Sequence, residues 1–219
     1  IADASTAVIE EHRPSLTLVY LPHLDYNLQR LGPSDPKISE DIAAVDAEAG
    51  KVVALAKQQG ADVVVLSEYA ITPVENPVHI NRVLRHHGFL KVRQESTGWE
   101  TLDGGASRAF AVADHQVAHI YVRNQHDVDR VEALLEEVSG IDRVFNREKQ
   151  IAIGIDHERS GDLVVLAEPG CWFTYYFWMD DARAPDYART VDIHRKPGYD
   201  PVELFLDSGM RFPKAHIAK

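Results

Sequence analysis

The chain has 219 residues, a formal net charge of −11 and a single cysteine, Cys171. This length allows one domain of substantial size, or a large and a small lobe. The acidic balance argues against general affinity for nucleic-acid polymers or anionic membranes. One cysteine excludes an intramolecular disulfide framework and a cysteine-rich zinc site. No apolar run approaches the roughly 20 residues that a membrane-spanning helix needs.

The first twelve residues predict a helix, which ends at Arg13-Pro14 because proline disfavours the helical conformation in the residue before it. The chain opens at Ile1 instead of methionine, and it lacks the charged and apolar segments of a signal peptide. These features predict a piece of a longer polypeptide. A protein trimmed only of a terminal tail is the alternative. The single cysteine fits a reducing compartment, and we expect a cytoplasmic location.

Strand, helix and strand follow one another between residues 15 and 66. Residues 15–21 form a short apolar run rich in strand-forming residues, and residues 61–66 are nearly all valine and leucine. Between them, apolar residues recur at helical spacing from Ile38 to Gln59, and Gly60 closes the helix. This order predicts a βαβ unit, and therefore an α/β fold with a mainly parallel sheet flanked by helices.

The pattern changes after Pro77. Short strands, a hairpin turn at Asp114-His115 and one amphipathic helix predict a smaller α+β lobe, inserted into the main sheet or packed beside it. The predicted strands are 109–112, 117–122, 151–155 and 163–167, and the predicted helix is 127–139. We therefore divide the chain into core residues 1–77, the smaller lobe 78–170, and residues 171–219, which return to the core.

Three polar side chains stand at the ends of these segments. Asp25 follows the first predicted strand, Glu68 follows the second, and His194 precedes a glycine-containing turn late in the chain. Oxygen and nitrogen ligands that converge at one edge of a sheet suit a divalent-metal hydrolase. Each residue also has a structural interpretation. Asp25 can cap a turn, Glu68 can be a solvated carboxylate, and His194 can be a surface histidine.

Four motifs, taken in order and spacing, carry a resemblance to a known family. They are LDYNLQRLGP at 24–33, LSEYA at 66–70, RSGDLVVLA at 159–167 and HRKPGYD at 194–200. Together they resemble the type I phosphodiesterase/nucleotide pyrophosphatase family, within the alkaline phosphatase superfamily. The resemblance implies an alkaline phosphatase-like α/β fold with a smaller α+β lobe inserted, of which this chain is the C-terminal part.

The resemblance also implies two divalent metal ions, with zinc as the family's metal. Asp25 and His194 match two ligands of one ion, but Gln29 stands where the family has a histidine. Glu68-Tyr69 stands where the family has an Asp-His pair for the second ion. A neutral amide is a poor zinc ligand, and a hard cation would tolerate it better. A neutral tyrosine is also a rare ligand, with an unperturbed pKa of about 10.

The family's nucleophilic threonine has no counterpart in this chain, so the resemblance implies that the nucleophile lies upstream and that no catalytic residue is present here. The implied function of the whole protein is metal-dependent hydrolysis of phosphoric or phosphonic esters. A degenerate member that binds a ligand without turnover is an alternative, as is a mutase or phosphonate hydrolase of the same superfamily. We expect a small-molecule phosphoester substrate, no nucleic-acid polymer and no membrane as partners, and the sequence allows a homo-oligomer.

Two further features have two interpretations each. His23, two residues before Asp25, would lie on the same side of an extended segment, where it could replace a lost nitrogen donor or be placed by chance. The aromatic run 172–178 could stack a nucleobase. Packing between the sheet and the lobe is the favoured interpretation of that run.

Overall fold

Three helices account for the regular structure of residues 1–73. They are α1 (Ala2–His12), α2 (His23–Leu31) and α3 (Ile38–Gln58). The computed structural model describes residues 1–189, which contain two compact units, residues 1–73 and residues 74–189. The predicted late motif at 194–200, with His194, lies outside the described residues.

The predicted helices at 1–12 and 38–59 are confirmed as α1 and α3, and the local sequence explains their limits. Arg13 takes a left-handed conformation with φ 44°, and its N–H donates to the carbonyl oxygen of Ile9, which closes α1. Helix α3 has acidic residues in its first turn and a lysine in its last, and both interact favourably with the helix dipole. An ion pair of 3.1 Å between Lys51 and Asp3 joins α3 to α1.

The predicted strands at 15–21 and 61–66 are wrong for the described chain. Both segments run without regular secondary structure, and their apolar side chains are exposed, Leu18 by 87% and Val64 by 83%. An extended segment becomes a strand when a neighbouring chain completes its backbone hydrogen bonds, and propensity alone does not supply that neighbour. Within residues 1–189 neither segment has a pairing partner, so the predicted βαβ unit is not formed there.

Residues 74–189 contain eight short strands, three α-helices and three short 3₁₀ helices. The strands are β1 (Asn76–Val78), β2 (Val92–Gln94), β3 (Glu100–Leu102), β4 (Ala109–Asp114), β5 (Val117–Val122), β6 (Ile141–Phe145), β7 (Leu163–Ala167) and β8 (Cys171–Phe173), and the helices are α4 (Ile80–His86), α5 (Val128–Glu136) and α6 (Arg147–Ile153). Strands β4, β5, β7 and β6 form, in that order, an antiparallel sheet. Strand β1 pairs with β8 in parallel, and β2 pairs with β3 in an antiparallel ribbon.

Most of the predicted elements of this unit are confirmed. The hairpin predicted from 109–112 and 117–122 is β4 and β5, joined through His115 and Gln116. The predicted amphipathic helix is α5, and the predicted strand at 163–167 is β7.

The strand predicted at 151–155 is wrong, because these residues begin inside α6. Two end signals define that helix. The side chain of Asn146 accepts the N–H of Lys149 at 3.1 Å, which caps the first turn. Gly154 takes the left-handed conformation at φ 74°, which ends the helix. The apolar content of five residues does not distinguish a strand from a short helix. The capping residues on either side do distinguish them.

The limits of the second unit follow from strand pairing. We predicted a smaller lobe from 78 to 170, and the compact unit runs from Val74 to Arg189. Strand β8 lies within it because Cys171 to Phe173 pair with Asn76 to Val78.

The core of this unit lies between the sheet and its helices. Burial alternates along β5, where Ala118 and Ile120 are fully buried. Helix α5 contributes Val131 and Leu135, which are also fully buried. From the aromatic run, Phe173, Phe177 and Trp178 belong to the same core. This burial supports packing as the role of these aromatic residues.

One buried ion pair connects three parts of the second unit. Glu100 on β3 is buried, and both of its oxygens accept from the guanidinium of Arg85 on α4, at 2.5 and 2.9 Å. The same guanidinium donates to the carbonyl oxygen of Phe177 at 3.1 Å. The paired geometry satisfies a charge that would otherwise destabilise the core.

Candidate functional site

Asp25 is the third residue of α2, which begins after Pro22. Proline at a helix start and an acidic residue in the first turn both favour this position for the helix end. The carboxylate of Asp25 accepts two hydroxyl hydrogen bonds. Tyr20 donates to Oδ2 at 2.6 Å, and Tyr69, 44 residues along the chain, donates to Oδ1. The structure therefore brings together two of the residues predicted from sequence, Asp25 and Tyr69.

The pKa values of both phenols in this cluster are raised. The hydrogen bond to the Asp25 carboxylate is the main reason that the pKa of Tyr69 lies above its usual value, and burial raises it further. The pKa of Tyr20 is raised for the same first reason, and the charge of Glu68 adds a smaller increase. Glu68 thus lies close enough to act electrostatically on the cluster.

The remaining predicted residues occupy different positions. Gln29 is exposed and lies one turn after Asp25 on α2, so the two side chains share one face of the helix. Glu68 is exposed in the segment that follows residues 61–66. His194 lies outside the described residues, and its predicted role as a ligand stays a prediction.

Helix α2 is itself fixed to its neighbour. The side-chain amide of Asn27 donates to the carboxylate of Asp41 on α3 at 2.7 Å. Tyr69 is also held by a local hydrogen bond. The hydroxyl of Ser67 donates to the carbonyl oxygen of Tyr69 at 2.6 Å and stabilises the bend that precedes this tyrosine. Asp25 and Tyr69 are therefore each supported by a second hydrogen bond nearby.

Sequence reasoning missed Tyr20 as a member of this cluster. The signal was available, because Pro22 followed by Asp25 marks a helix start and places Tyr20 two residues before it. The helix also corrects the argument about His23. Residues two apart on a helix face different directions, so His23 does not share a side with Asp25. Its Nδ1 atom is buried and has no hydrogen-bond partner within the described chain.

The donor set around Asp25 is rich in oxygen. Carboxylate, amide and hydroxyl oxygens suit hard cations such as Mg²⁺ or Mn²⁺, whereas zinc sites rely on imidazole or thiolate ligands. Each Asp25 oxygen uses one lone pair for a tyrosine hydroxyl and retains another for a cation. Residues 1–189 contain no group of three histidine, cysteine or acidic side chains placed to hold a metal. The oxygen donors among the described residues suit a hard cation better than zinc.

Solved structures show which fold this chain has. The murine ectonucleotide pyrophosphatase/phosphodiesterase 5 is similar with a TM-score of 0.55 and 17% identity, over 82% of this chain and 45% of that one. Phosphonoacetate hydrolase from Sinorhizobium meliloti 1021, solved with phosphonoacetate, is similar with a TM-score of 0.51 and 16% identity, over 80% and 42%. A search of curated protein sequences found no match. The chain spans less than half the length of these two structures.

These likenesses confirm the predicted α/β fold, of the alkaline phosphatase-like class. The model of the type I phosphodiesterase/nucleotide pyrophosphatase family matches residues 1–200. The chain belongs to that family, as the four motifs predicted. Among the described residues, no helix is both long and apolar enough to cross a membrane.

Proposed function

We propose that this chain is the metal-ligand part of a hydrolase of phosphoric or phosphonic esters, similar to phosphodiesterases and nucleotide pyrophosphatases. Family membership over residues 1–200 supports the reaction class. The observation that carries the proposal is the hydrogen bond between Tyr69 and Asp25. It joins the two segments that the resemblance assigns to two neighbouring cations, and a site for two cations requires such proximity.

In this proposal Asp25 and His194 hold one divalent cation, with the amide oxygen of Gln29 beside them. Glu68 and Tyr69 face a second cation. A bound pair of cations would supply the positive charge that stabilises a phosphoryl group and its leaving oxygen. The resemblance implies zinc, whereas the oxygen-rich donors favour Mg²⁺ or Mn²⁺, and both belong in the test.

The nucleophile is proposed to lie outside residues 1–219, because no motif in this chain matches the family's nucleophile. The substrate is proposed to be a small-molecule phosphoester. An acidic chain would bind it through the cations instead of through its own charge. Nucleic-acid polymers and membranes are not expected partners, and the cytoplasmic location stays a prediction.

Hydrolysis of bis(p-nitrophenyl) phosphate in the presence of Mg²⁺, Mn²⁺ or Zn²⁺ tests the proposal. We expect a longer polypeptide that includes the nucleophile to turn over the substrate only with a cation, and Asp25→Ala to abolish this turnover. Residues 1–219 alone should show no measurable turnover and should bind cations weakly. Metal-independent turnover, or full activity of Asp25→Ala, would contradict the assigned site. Robust turnover by residues 1–219 would show that the nucleophile lies within this chain.

The second candidate is a degenerate member of the family that binds a ligand without turnover. Two observations favour it. Gln29 and Tyr69 replace histidines of the family, and Tyr20 and Tyr69 both donate to the one carboxylate expected to hold a cation. Cation-dependent turnover in the same assay would eliminate this alternative, and its absence with every cation would favour it.

A further inference from the structure

Two segments of the first unit without regular secondary structure converge on a single carboxylate. Residues 14–21 and residues 62–73 lack regular secondary structure and are mostly exposed. Within residues 1–73, each segment has one hydrogen bond to the helices, donated by Tyr20 from the first segment and by Tyr69 from the second. Both hydrogen bonds end on Asp25.

We infer that Tyr20 and Tyr69 are positioning residues, which tie these two segments to α2 through Asp25 and so hold the segment 67–69 beside this helix without a metal ion. We call the three residues the tyrosine clasp. A phenol held by a carboxylate forms a charge-assisted hydrogen bond, which is stronger than a hydrogen bond between neutral groups. The clasp goes beyond the proposed hydrolase activity, since it holds whether or not a cation or a substrate binds.

The geometry supports a role in positioning instead of simple surface contact. Helix α2 is anchored to α3 by the 2.7 Å hydrogen bond from Asn27 to Asp41, so Asp25 is a fixed acceptor. Ser67 holds the bend next to Tyr69. Because Asp25 lies between the two tyrosines, loss of either hydroxyl releases one segment, and loss of the carboxylate releases both.

The clasp also orients the carboxylate of Asp25. A hydroxyl that donates to a metal-ligating carboxylate orients it without occupying the cation's position. The carboxylate would thus be held in one orientation before any cation arrives. Tyr69 then acts on the first cation's site through Asp25, while its phenol oxygen keeps lone pairs that can face the second cation.

Spin labels on the two segments measure how firmly the clasp holds them at a fixed distance. Leu18 and Leu66 are exposed by 87% and 75%, so Leu18→Cys and Leu66→Cys accept labels without disturbing a core. The labels are placed in the full chain of 219 residues carrying Cys171→Ala, since Cys171 is the single native cysteine. Pulsed electron paramagnetic resonance in EDTA, on labelled protein diluted with an excess of unlabelled protein to suppress distances between molecules, then gives the distance distribution between the segments.

We expect a narrow distribution for the parent protein and one about twice as broad in Tyr20→Phe and in Tyr69→Phe, because local freedom increases when a tether is lost. Asp25→Ala should be the broadest. Asp25→Asn keeps one acceptor oxygen, so the width of its distribution should lie between those of the parent and of Asp25→Ala. A general loss of folding would not give this partial rescue. Tyr26→Phe is the matched control, because Tyr26 is an exposed tyrosine on the same helix.

Three results would overturn the inference. Equal distributions in all variants would show that the hydroxyls do not restrain the segments. Equal broadening in Tyr26→Phe would show a nonspecific effect. A distribution that is broad in EDTA and becomes narrow only with Mg²⁺, Mn²⁺ or Zn²⁺ would show that a cation, not the clasp, ties the segments. Since the measurement uses no substrate, absence of hydrolase activity leaves its outcome unaffected.

Discussion

The side chain of Asn81 forms two hydrogen bonds with the backbone of Ala111. Its Oδ1 accepts the N–H of Ala111 at 2.7 Å, and its Nδ2 donates to the carbonyl oxygen at 2.9 Å. Ala111 lies on β4, an edge strand of the four-stranded sheet, and Asn81 is buried on α4. The amide therefore occupies the position of a neighbouring strand at one point and blocks the edge against pairing with another chain.

Asn81→Leu should strongly destabilise the second unit. The substitution keeps a similar volume but leaves the N–H and C=O of Ala111 without partners in a buried position, which costs about 2–4 kcal/mol of unfolding free energy. Urea unfolding followed by tryptophan fluorescence measures this, because Trp99, Trp172 and Trp178 all lie in residues 74–189. Gln94→Leu, at an exposed residue of β2, is the control and should change stability by less than about 0.5 kcal/mol. An Asn81→Leu protein as stable as the parent would contradict the assigned role.

Gly161→Ala should also destabilise this unit. A Cβ at residue 161 would lie 2.7 Å from the backbone N and O of Ile120 and 2.8 Å from the O of Leu163. Backbone atoms of paired strands cannot move away cheaply, and we expect a loss of about 1–3 kcal/mol. Gly104→Ala is the control within the same unit, because its Cβ position meets only side-chain atoms of Leu102 and Phe110 at an ordinary 3.7 Å. The tryptophan transition should shift to lower urea in Gly161→Ala and stay unchanged in Gly104→Ala.

Because of Asp127, the unfolding free energy of the second unit should decrease at low pH. Its buried carboxylate accepts hydrogen bonds from Arg108 and from Arg130, and the hydrogen bond from Arg108 is the main reason that the pKa of Asp127 is lowered on folding. A lowered pKa contributes stability that is present above the unfolded value of about 3.9 and is lost as pH falls through the folded value. The stability difference between the parent and Asp127→Asn should therefore be constant from pH 7 to about pH 5 and shrink below about pH 4. Urea unfolding of both proteins at several pH values measures this stability difference. A difference that stays constant at low pH would contradict the prediction.

Gln29→His should increase the zinc affinity of the chain. Residue 29 lies one turn after Asp25 on the same face of α2, so an imidazole there adds the nitrogen ligand that zinc prefers. We expect an increase of at least about tenfold in isothermal titration calorimetry, and Asp25→Ala in the Gln29→His background should remove it. Tyr26→His, at an exposed position on a different face of the same helix, should have no effect. Unchanged zinc binding in Gln29→His would show that Asp25 does not offer its carboxylate to a cation.

The exposed apolar segment 63–66 should promote self-association of residues 1–219. Val64, Val65 and Leu66 are exposed by 83%, 78% and 75%, and such a run of valine and leucine pairs readily with another extended chain. Sedimentation velocity should show association that increases with concentration and that Val64→Glu weakens. Val112→Glu replaces an apolar residue of β4 that is exposed by 52% and lies outside this segment, and it should not weaken the association. A parent chain that remains monomeric at all concentrations would contradict the prediction.

The amino-acid sequence alone determined the helices and the hairpin whose signals are local. The repeat of apolar residues in α3, the arginine-proline end of α1 and the alternation along β4 and β5 each depend on residues close together in the chain. The family motifs were also readable, because a motif requires only residue identity and spacing. They correctly indicated the family and the α/β fold.

Only the tertiary structure decided which residues meet. The segments 15–21 and 61–66 have strand-like sequences, yet a strand exists only where a neighbour completes its hydrogen bonds, and residues 1–189 supply none. The contact of Tyr20 and Tyr69 with Asp25 likewise joins residues up to 44 positions apart. Periodicity and spacing describe one stretch of chain at a time, whereas such contacts depend on how α2 and the segment after residue 61 are placed in space.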